Sequence, residues 1–429
     1  MTTHNIQFTG MPYFPGIAVG KIHVGIDSVN EKCIAVITQD VIAELSVKPA
    51  GIIVVEAAPL SHTMIALLGL GVPTVLINEQ QAALLEDSAM LLIDGSNGRI
   101  TNQLESVGQD EYNKQITSVG KAVLMADGEL VNLCASVRQP AAARKAVELG
   151  ARAIGLARSE FLLPANDRVP NTAFYQTMFR DLCEAASPLA VTYRLLDVAA
   201  DKIPAWMPQM GTLGQALGLQ GVRLYHIDSV QDVISAQLEA LSGLSTEFSL
   251  RLLIPYIVRR EEYEHWLTLI RQQLSAQVPI GAMAETPASV LDISNLFECA
   301  DFVAIGCNDL MQALFAADRD KPELRYYLDP YAPLLFRLFS QIAHQSSEHL
   351  SNIQLCGVLA QIQGVLPVLL GLGYRTFSVD PPFIPFLANI VVNTTRGECE
   401  QLAAQVCMAR KTQEVLEILQ LPTDRHPPF

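Results

Sequence analysis

VPIGAM at residues 278–283 and DFVAIG at residues 301–306 are short, continuous apolar runs joined by a helical stretch opened by a Thr-Pro pair. Strand, helix, strand in that order is the repeating unit of a parallel sheet, whose strands are covered on both faces and so carry unbroken apolar runs. The same rhythm extends outward in both directions. LVNLCA (130–135), RAIGLA (152–157), LAVTYRL (189–195) and LRLLIPY (250–256) precede the pair, and IQLCG (353–357) and RTFSV (375–379) follow it. Eight strands alternating with helices over roughly 300 residues match the size and rhythm of a (β/α)8 TIM barrel. An open doubly wound sheet is the alternative, but the GxGxxG phosphate fingerprint after a first strand is absent. The expected fold class is therefore α/β, with a barrel over residues 129–429.

Ahead of the barrel, KIHV (21–24), CIAVIT (33–38), GIIVVE (51–56), TVLI (74–77) and AMLLIDG (89–95) read as strands, and HTMIALLGLG (62–71) reads as a helix. IDGSNGRIT (93–101) carries a hairpin signal, because Asp94, Gly95, Asn97 and Gly98 are turn formers between apolar segments. Residues 1–105 are thus expected to form a small α/β domain, and the polar stretch 106–128 a linker helix. The chain has 429 residues, half of them hydrophobic and 17% charged, which suits a large core without a membrane span. The formal charge of −15 is spread without long runs and argues against a nucleic-acid surface. MTTHNIQFTGMPYF at the start lacks a signal-peptide pattern and points to the cytoplasm. Eight cysteines without paired CxxC spacing indicate neither a disulfide framework nor a zinc site.

In a barrel, chemistry gathers at the C-terminal ends of the strands. Arg158, Ser159 and Glu160 follow the second run; Arg194 ends the third, with Asp197, Asp201 and Lys202 after it. Glu285 follows the fifth, Asn308 and Asp309 the sixth with Arg319 beyond, and Cys356 closes the seventh. Glu285 and Asp309, on adjacent strands, can share a hard cation such as Mg2+, which takes oxygen ligands. Arg158, Arg194 and Arg319 offer forked, permanently charged donors to a small anion carrying phosphate and carboxylate. Together these groups describe electrostatic stabilisation of phosphoryl transfer or of an enolate. Any one of them alone reads equally as a rim ion pair, and Cys356 alone as core packing; their recurrence on successive strand ends is the signal. In the small domain, His62 stands where Ser61 or Pro59 begins a helix, a position that favours an anion on the ring.

These residues resemble the phosphoenolpyruvate-utilising family, which includes enzyme I of the phosphotransferase system, phosphoenolpyruvate synthase and pyruvate, phosphate dikinase. SHTMIALLGLGVPTV (61–75) with IDGSNGRIT is similar to the family's swivelling phosphohistidine domain. GARAIGLARSEFLL (150–163), YRLLDVAADK (193–202), IPYIVRREE (254–262), IGAMAETPAS (280–289), DFVAIGCNDLMQALFAADRD (301–320) and CGVLA (356–360) resemble its barrel motifs in order. The resemblance implies His62 and Cys356 as catalytic residues, Glu285 and Asp309 as ligands of Mg2+, and Arg158, Arg194, Lys202, Gln220, Asn308 and Arg319 around the substrate. It implies phosphoryl transfer between phosphoenolpyruvate and His62, pyruvate as the product after protonation by Cys356, a separate protein or small-molecule phosphate acceptor, and a homodimer through the barrel. A nucleotide-binding domain and a carrier-docking helical insertion are not expected. Departures are specific: in QALGLQGVRLY (215–225) the family's first arginine is Gln220, with Arg223 matching the second. The acidic residue after CG is Val358, the threonine before the NDL motif is Cys307, the glycines before the SH pair are replaced around Ala58 and Pro59, and the arginine six positions after the histidine is Leu68. They leave two further readings: a catalytically impaired protein that binds phosphoenolpyruvate or pyruvate, and a metal-dependent barrel lyase or aldolase.

Overall fold

The eight apolar runs become eight parallel strands of one closed sheet. The structure, a computed structural model, describes residues 6–27, 29–104, 122–162, 168–198, 203–207, 218–274 and 277–422. Numbering strands in chain order, β1 (Gln7–Thr9), β2 (Met11–Phe14), β3 (Ile17–Val24), β4 (Cys33–Thr38), β5 (Gly51–Val55), β6 (Thr74–Ile77), β7 (Met90–Asp94) and β8 (Arg99–Thr101) form a mixed sheet ordered β1-β8-β7-β3-β4-β5-β6-β2. A short β9 (Val123–Leu124) leads into the barrel strands: β10 (Leu130–Val137), β11 (Ile154–Arg158), β12 (Val191–Arg194), β13 (Leu250–Ile257), β14 (Ile280–Ala284), β15 (Phe302–Gly306), β16 (Ile353–Cys356) and β17 (Thr376–Val379). Each of these eight pairs in parallel with its successor, and β10 pairs with both β11 and β17, which closes the barrel.

Alternation along the strands decides what faces inward. On β15, Val303 and Ile305 pack into the core beneath the surrounding helices, whereas Phe302 and Ala304 join Leu156, Leu253, Met283 and Cys356 in a separate cluster inside the barrel. The Phe302 ring sits where a Cβ on Gly281 would stand, 2.5 Å from it, and the Arg251 guanidinium stacks on its other side, 3.6 Å from the ring centroid. This stack closes the barrel floor. Above it, Gln354 donates from Nε2 to the Gly155 carbonyl at 2.9 Å and to the Cys356 sulfur at 3.1 Å.

The small sheet is buried on both faces, because Ile34, Val36 and Ile53 pack on one side and Ala35, Ile37, Ile52 and Val54 on the other. β7 and β8 form the expected hairpin, with Leu92 opposite Thr101 and Asp94 opposite Arg99. One expectation is corrected. The end of segment 106–128 holds β9 and a turn rather than helix, because Asp127-Gly128 reverses the chain: Gly128 adopts φ +90° and donates to the Met125 carbonyl, and Val123 then pairs antiparallel with Val131. Residues 105–121 lie outside the described residues. The small domain meets the barrel through Phe14, Leu60, Ile65 and Leu68, which share one buried apolar cluster with Phe383, Ile384 and Leu387. Phe14 lies edge-on to Phe383 at 4.7 Å between ring centroids. Among the described residues no helix is long and apolar enough to cross a membrane.

Candidate active site

His62 opens the helix His62–Leu68, capped by Ser61, whose Oγ accepts from Met64 N. As the first helical residue it has a backbone N–H with no partner inside the helix. That N–H donates to Asp320 Oδ1 at 2.9 Å, and Asp320 Oδ2 lies 2.9 Å from Nδ1 of the same histidine. The other ring nitrogen, Nε2, lies 2.8 Å from Nη2 of Arg319. Both partners belong to the barrel, on the segment after β15 and the helix Cys307–Leu314, so the small domain delivers its histidine onto the barrel mouth. Asp320 is held well below the usual carboxylate range, at about 2: burial works against this, but the hydrogen bonds it accepts from His62, with the Arg319 charge behind them, prevail.

Arg319 extends the contact inward, because Nη2 also lies 3.1 Å from Asp309 Oδ1. Asp309 in turn is hydrogen-bonded to Glu285. Glu285 is fully buried, and burial followed by the Asp309 charge pushes its carboxyl far above the usual range. Burial also acts on Asp309, but the Arg319 and Arg194 guanidinium groups outweigh it and hold that carboxylate down. The two carboxyl groups are thus pushed in opposite directions, Glu285 up and Asp309 down. Tyr256 supports this arrangement from a strained backbone: at φ +52° its N–H donates to Glu285 Oε1 at 3.2 Å.

Arg194 is buried between two acids, with Nη2 2.5 Å from Glu160 Oε1 and Nη1 2.8 Å from Asp197 Oδ2. Burial alone would weaken its charge; Asp197 and Glu160 reverse that and keep it protonated. Arg158 is pulled down to about 10 by burial and by the neighbouring Arg194 and Arg138 charges, and its buried Nε has no hydrogen-bond partner among the described residues. It lines a cavity of about 250 Å³ together with Arg138, Asn308 and Gly357 of the barrel and Ile65 and Ala66 of the small domain. Cys356 is buried at the end of β16, and burial pushes its thiol up to about 11, with Gln354 acting the other way.

The structure thus gathers His62, Arg319, Asp309 and Glu285 into one contact chain, with Arg194, Arg158 and Cys356 within electrostatic reach. Asn308 lies at the same strand end, where its Oδ1 accepts from Val358 N at 3.1 Å and fastens the loop after β16. That loop passes close enough that a Cβ on Gly357, at φ +104°, would stand 2.7 Å from the same oxygen. Gln220 precedes the turn Gly221–Leu224, and Gly221 N donates to Asp197 Oδ1 at 3.0 Å, placing this segment beside the acids that hold Arg194. Lys202 lies outside the described residues.

A family model described as the PEP-binding domain of PEP-utilising enzymes matches residues 113–396, more than half of the chain, and one described as their mobile domain matches residues 33–98. The chain belongs to the PEP-utilising enzyme family. Similar family members include phosphoenolpyruvate-protein phosphotransferases of Bacillus subtilis, 24% identical over 83% of this chain, and of Streptomyces coelicolor, 29% identical over 85%. One from Staphylococcus aureus is 26% identical over 84% of the chain. In all three the match covers 66% of the relative's length, just under two thirds. Within this PEP-utilising chain, the residues that strand-end reasoning missed are Asp320, which addresses His62, and Asp380 and Arg138, which lie near Arg158. Asp320 carried a signal in the Asp-Arg-Asp triplet 318–320, an acid on each side of a candidate substrate arginine.

Proposed function

We propose that this chain transfers the phosphoryl group of phosphoenolpyruvate to Nε2 of His62 and releases pyruvate. The observation that carries this reading is the position of that nitrogen: it reaches the barrel mouth at 2.8 Å from Arg319, whose same Nη2 touches Asp309 of the carboxylate pair. The names of the curated relatives support the same chemistry.

Glu285 and Asp309 fit a hard divalent cation. Two carboxyl groups in contact, one of them pushed up by burial and by its neighbour's charge, are an arrangement that a divalent cation would relieve. Glu285 and Asp309 would hold Mg2+ as two carboxylate ligands, a number that suits an ion which takes its remaining oxygens from substrate and water. When bound, Mg2+ supplies Lewis-acid stabilisation of charge on those oxygens.

The chain's own groups do the rest. Arg319 faces the phosphoryl group as it passes to Nε2 and screens it from Asp309. Arg158 and Arg194 hold the remaining anionic oxygens, Arg194 in a fixed plane set by Glu160 and Asp197. The Nε2 lone pair attacks phosphorus, the P–O bond to the enol oxygen breaks, and enolpyruvate leaves. Cys356 then gives its proton to the methylene carbon; the elevated thiol is protonated at neutral pH, and Gln354 Nε2 donates to the sulfur that takes the charge. Lys202, the homodimer through the barrel and a separate phosphate acceptor belong to the same proposal.

Incubation with labelled phosphoenolpyruvate and Mg2+ is expected to give an acid-labile phosphoprotein that His62→Ala abolishes. Folded protein that takes no label sinks the reading. Gln220 favours a second one, since a neutral amide stands where the family presents an arginine beside the acids of Arg194. Mg2+-dependent binding of oxalate without labelling, measured by calorimetry, would select a binding protein instead.

A further inference from the structure

We infer that Asp320 is a positioning residue that fixes the His62 tautomer, placing the proton on Nδ1 and leaving Nε2 as the nitrogen that accepts phosphate. This deepens the phosphoryl-transfer reading and rests on it. The argument comes from what each partner is able to do. An ionised carboxylate only accepts hydrogen bonds, and a guanidinium only donates them. Asp320 Oδ2 lies 2.9 Å from Nδ1 and Arg319 Nη2 lies 2.8 Å from Nε2. The two partners cannot exchange roles, so Nδ1 carries the hydrogen and Nε2 presents a lone pair. An Nε2–H tautomer would set two donors against each other at Arg319 and leave two acceptors facing each other at Asp320.

Asp320 is also built to hold this orientation. Its second oxygen accepts from the His62 backbone N–H at 2.9 Å, so the carboxylate grips the residue at two points and restricts rotation of the ring. Its own backbone is fastened in turn: Asp320 N donates to Asp318 Oδ1, and Arg319 N to Gln312 Oε1, each at 3.0 Å. Ala317 N donates to the Gln312 carbonyl after Ala316 turns the chain at φ +51°. The segment that reads the two ring nitrogens is therefore anchored to the helix Cys307–Leu314. A carboxylate that orients an imidazole from behind is the arrangement by which a neutral histidine is prepared as a base or nucleophile.

Two-bond 1H–15N correlation spectra of protein labelled in histidine report the tautomer directly, without turnover. Wild type and Asp320→Asn, whose amide oxygen still accepts from Nδ1, are expected to show the Nδ1–H form, and Asp320→Ala to shift toward Nε2–H. The rate of labelling by phosphoenolpyruvate should fall by about tenfold or more in Asp320→Ala with KM unchanged, and less in Asp320→Asn. Arg325→Ala separates positioning from mere docking, because it removes the Arg325–Glu56 contact between the domains without touching His62. Asp320→Ala with a wild-type tautomer, or Arg325→Ala with the same tautomer shift as Asp320→Ala, overturns the inference. Wild type in the Nδ1–H form that takes no label overturns the phosphoryl-transfer reading while upholding the tautomer assignment.

Discussion

Glu285 is buried against Asp309, and its burial has a consequence for stability that can be signed. A carboxyl whose folded pKa is raised above its unfolded value of 4.5 binds its proton more tightly in the folded chain. Its stabilising contribution is complete below that value and is lost as pH climbs toward the raised folded pKa. Metal-free protein is therefore expected to lose stability from about pH 4.5 upward, and Glu285→Gln to flatten that decline. Denaturant titrations across pH with chelator present check this; a Glu285→Gln profile as steep as wild type refutes it. Added Mg2+ should raise Tm near neutrality in wild type and not in the variant, because only an anionic pair repays the cation. Glu285 and Asp309 were legible in the sequence because strand ends are where a barrel collects its chemistry. For Asp320 the Asp-Arg-Asp triplet marks the residue but not its partner, because His62 is 258 residues away in another domain and no local pattern encodes that meeting.

Among elements, the barrel strands were the most readable, since a parallel strand buried on both faces spells itself as an unbroken apolar run. β1 and β2 escaped: they are short, and Gly10 and Pro12 interrupt them, yet they flank the sheet on its two edges. Segment 122–128, AVLMADG, was misjudged because its apolar run follows a long polar stretch and suits the end of a helix as well as it suits the β9 hairpin. The helix His62–Leu68 illustrates a different limit. The family arginine replaced by Leu68 suggests a lost partner for the imidazole, but Leu68 is 2% exposed and belongs to the apolar cluster that joins the domains, while Arg319 meets the ring from the barrel side. Leu68→Arg is expected to place an unpaired cation in that cluster at a cost on the order of 3 kcal/mol. The domains should separate, visible as a larger radius of gyration in X-ray scattering and as loss of His62 labelling. A variant that stays compact and labels faster than wild type would restore the arginine's assigned role.

At the scale of the molecule, two domains are held by an apolar seam around Phe14 and by a polar seam in which Asp320, Arg319 and Arg325 of the barrel address His62 and Glu56. The seams differ in kind: the first is indifferent to charge, whereas the second changes whenever His62 gains or loses an anion. The floor of the barrel adds a constraint on proton traffic. Phe302, wedged over Gly281 and stacked by Arg251, shares the apolar cluster inside the barrel with Cys356, so the thiol is surrounded by groups that take no proton. On the proposed chemistry, Cys356 adds one hydrogen to the enolpyruvate methylene, and that hydrogen is solvent-derived once the thiol has exchanged. Pyruvate formed in D2O and trapped at once by reduction should carry one deuterium in its methyl group, read by mass spectrometry, and extensive multiple labelling would mean that the methyl group is deprotonated and reprotonated before release.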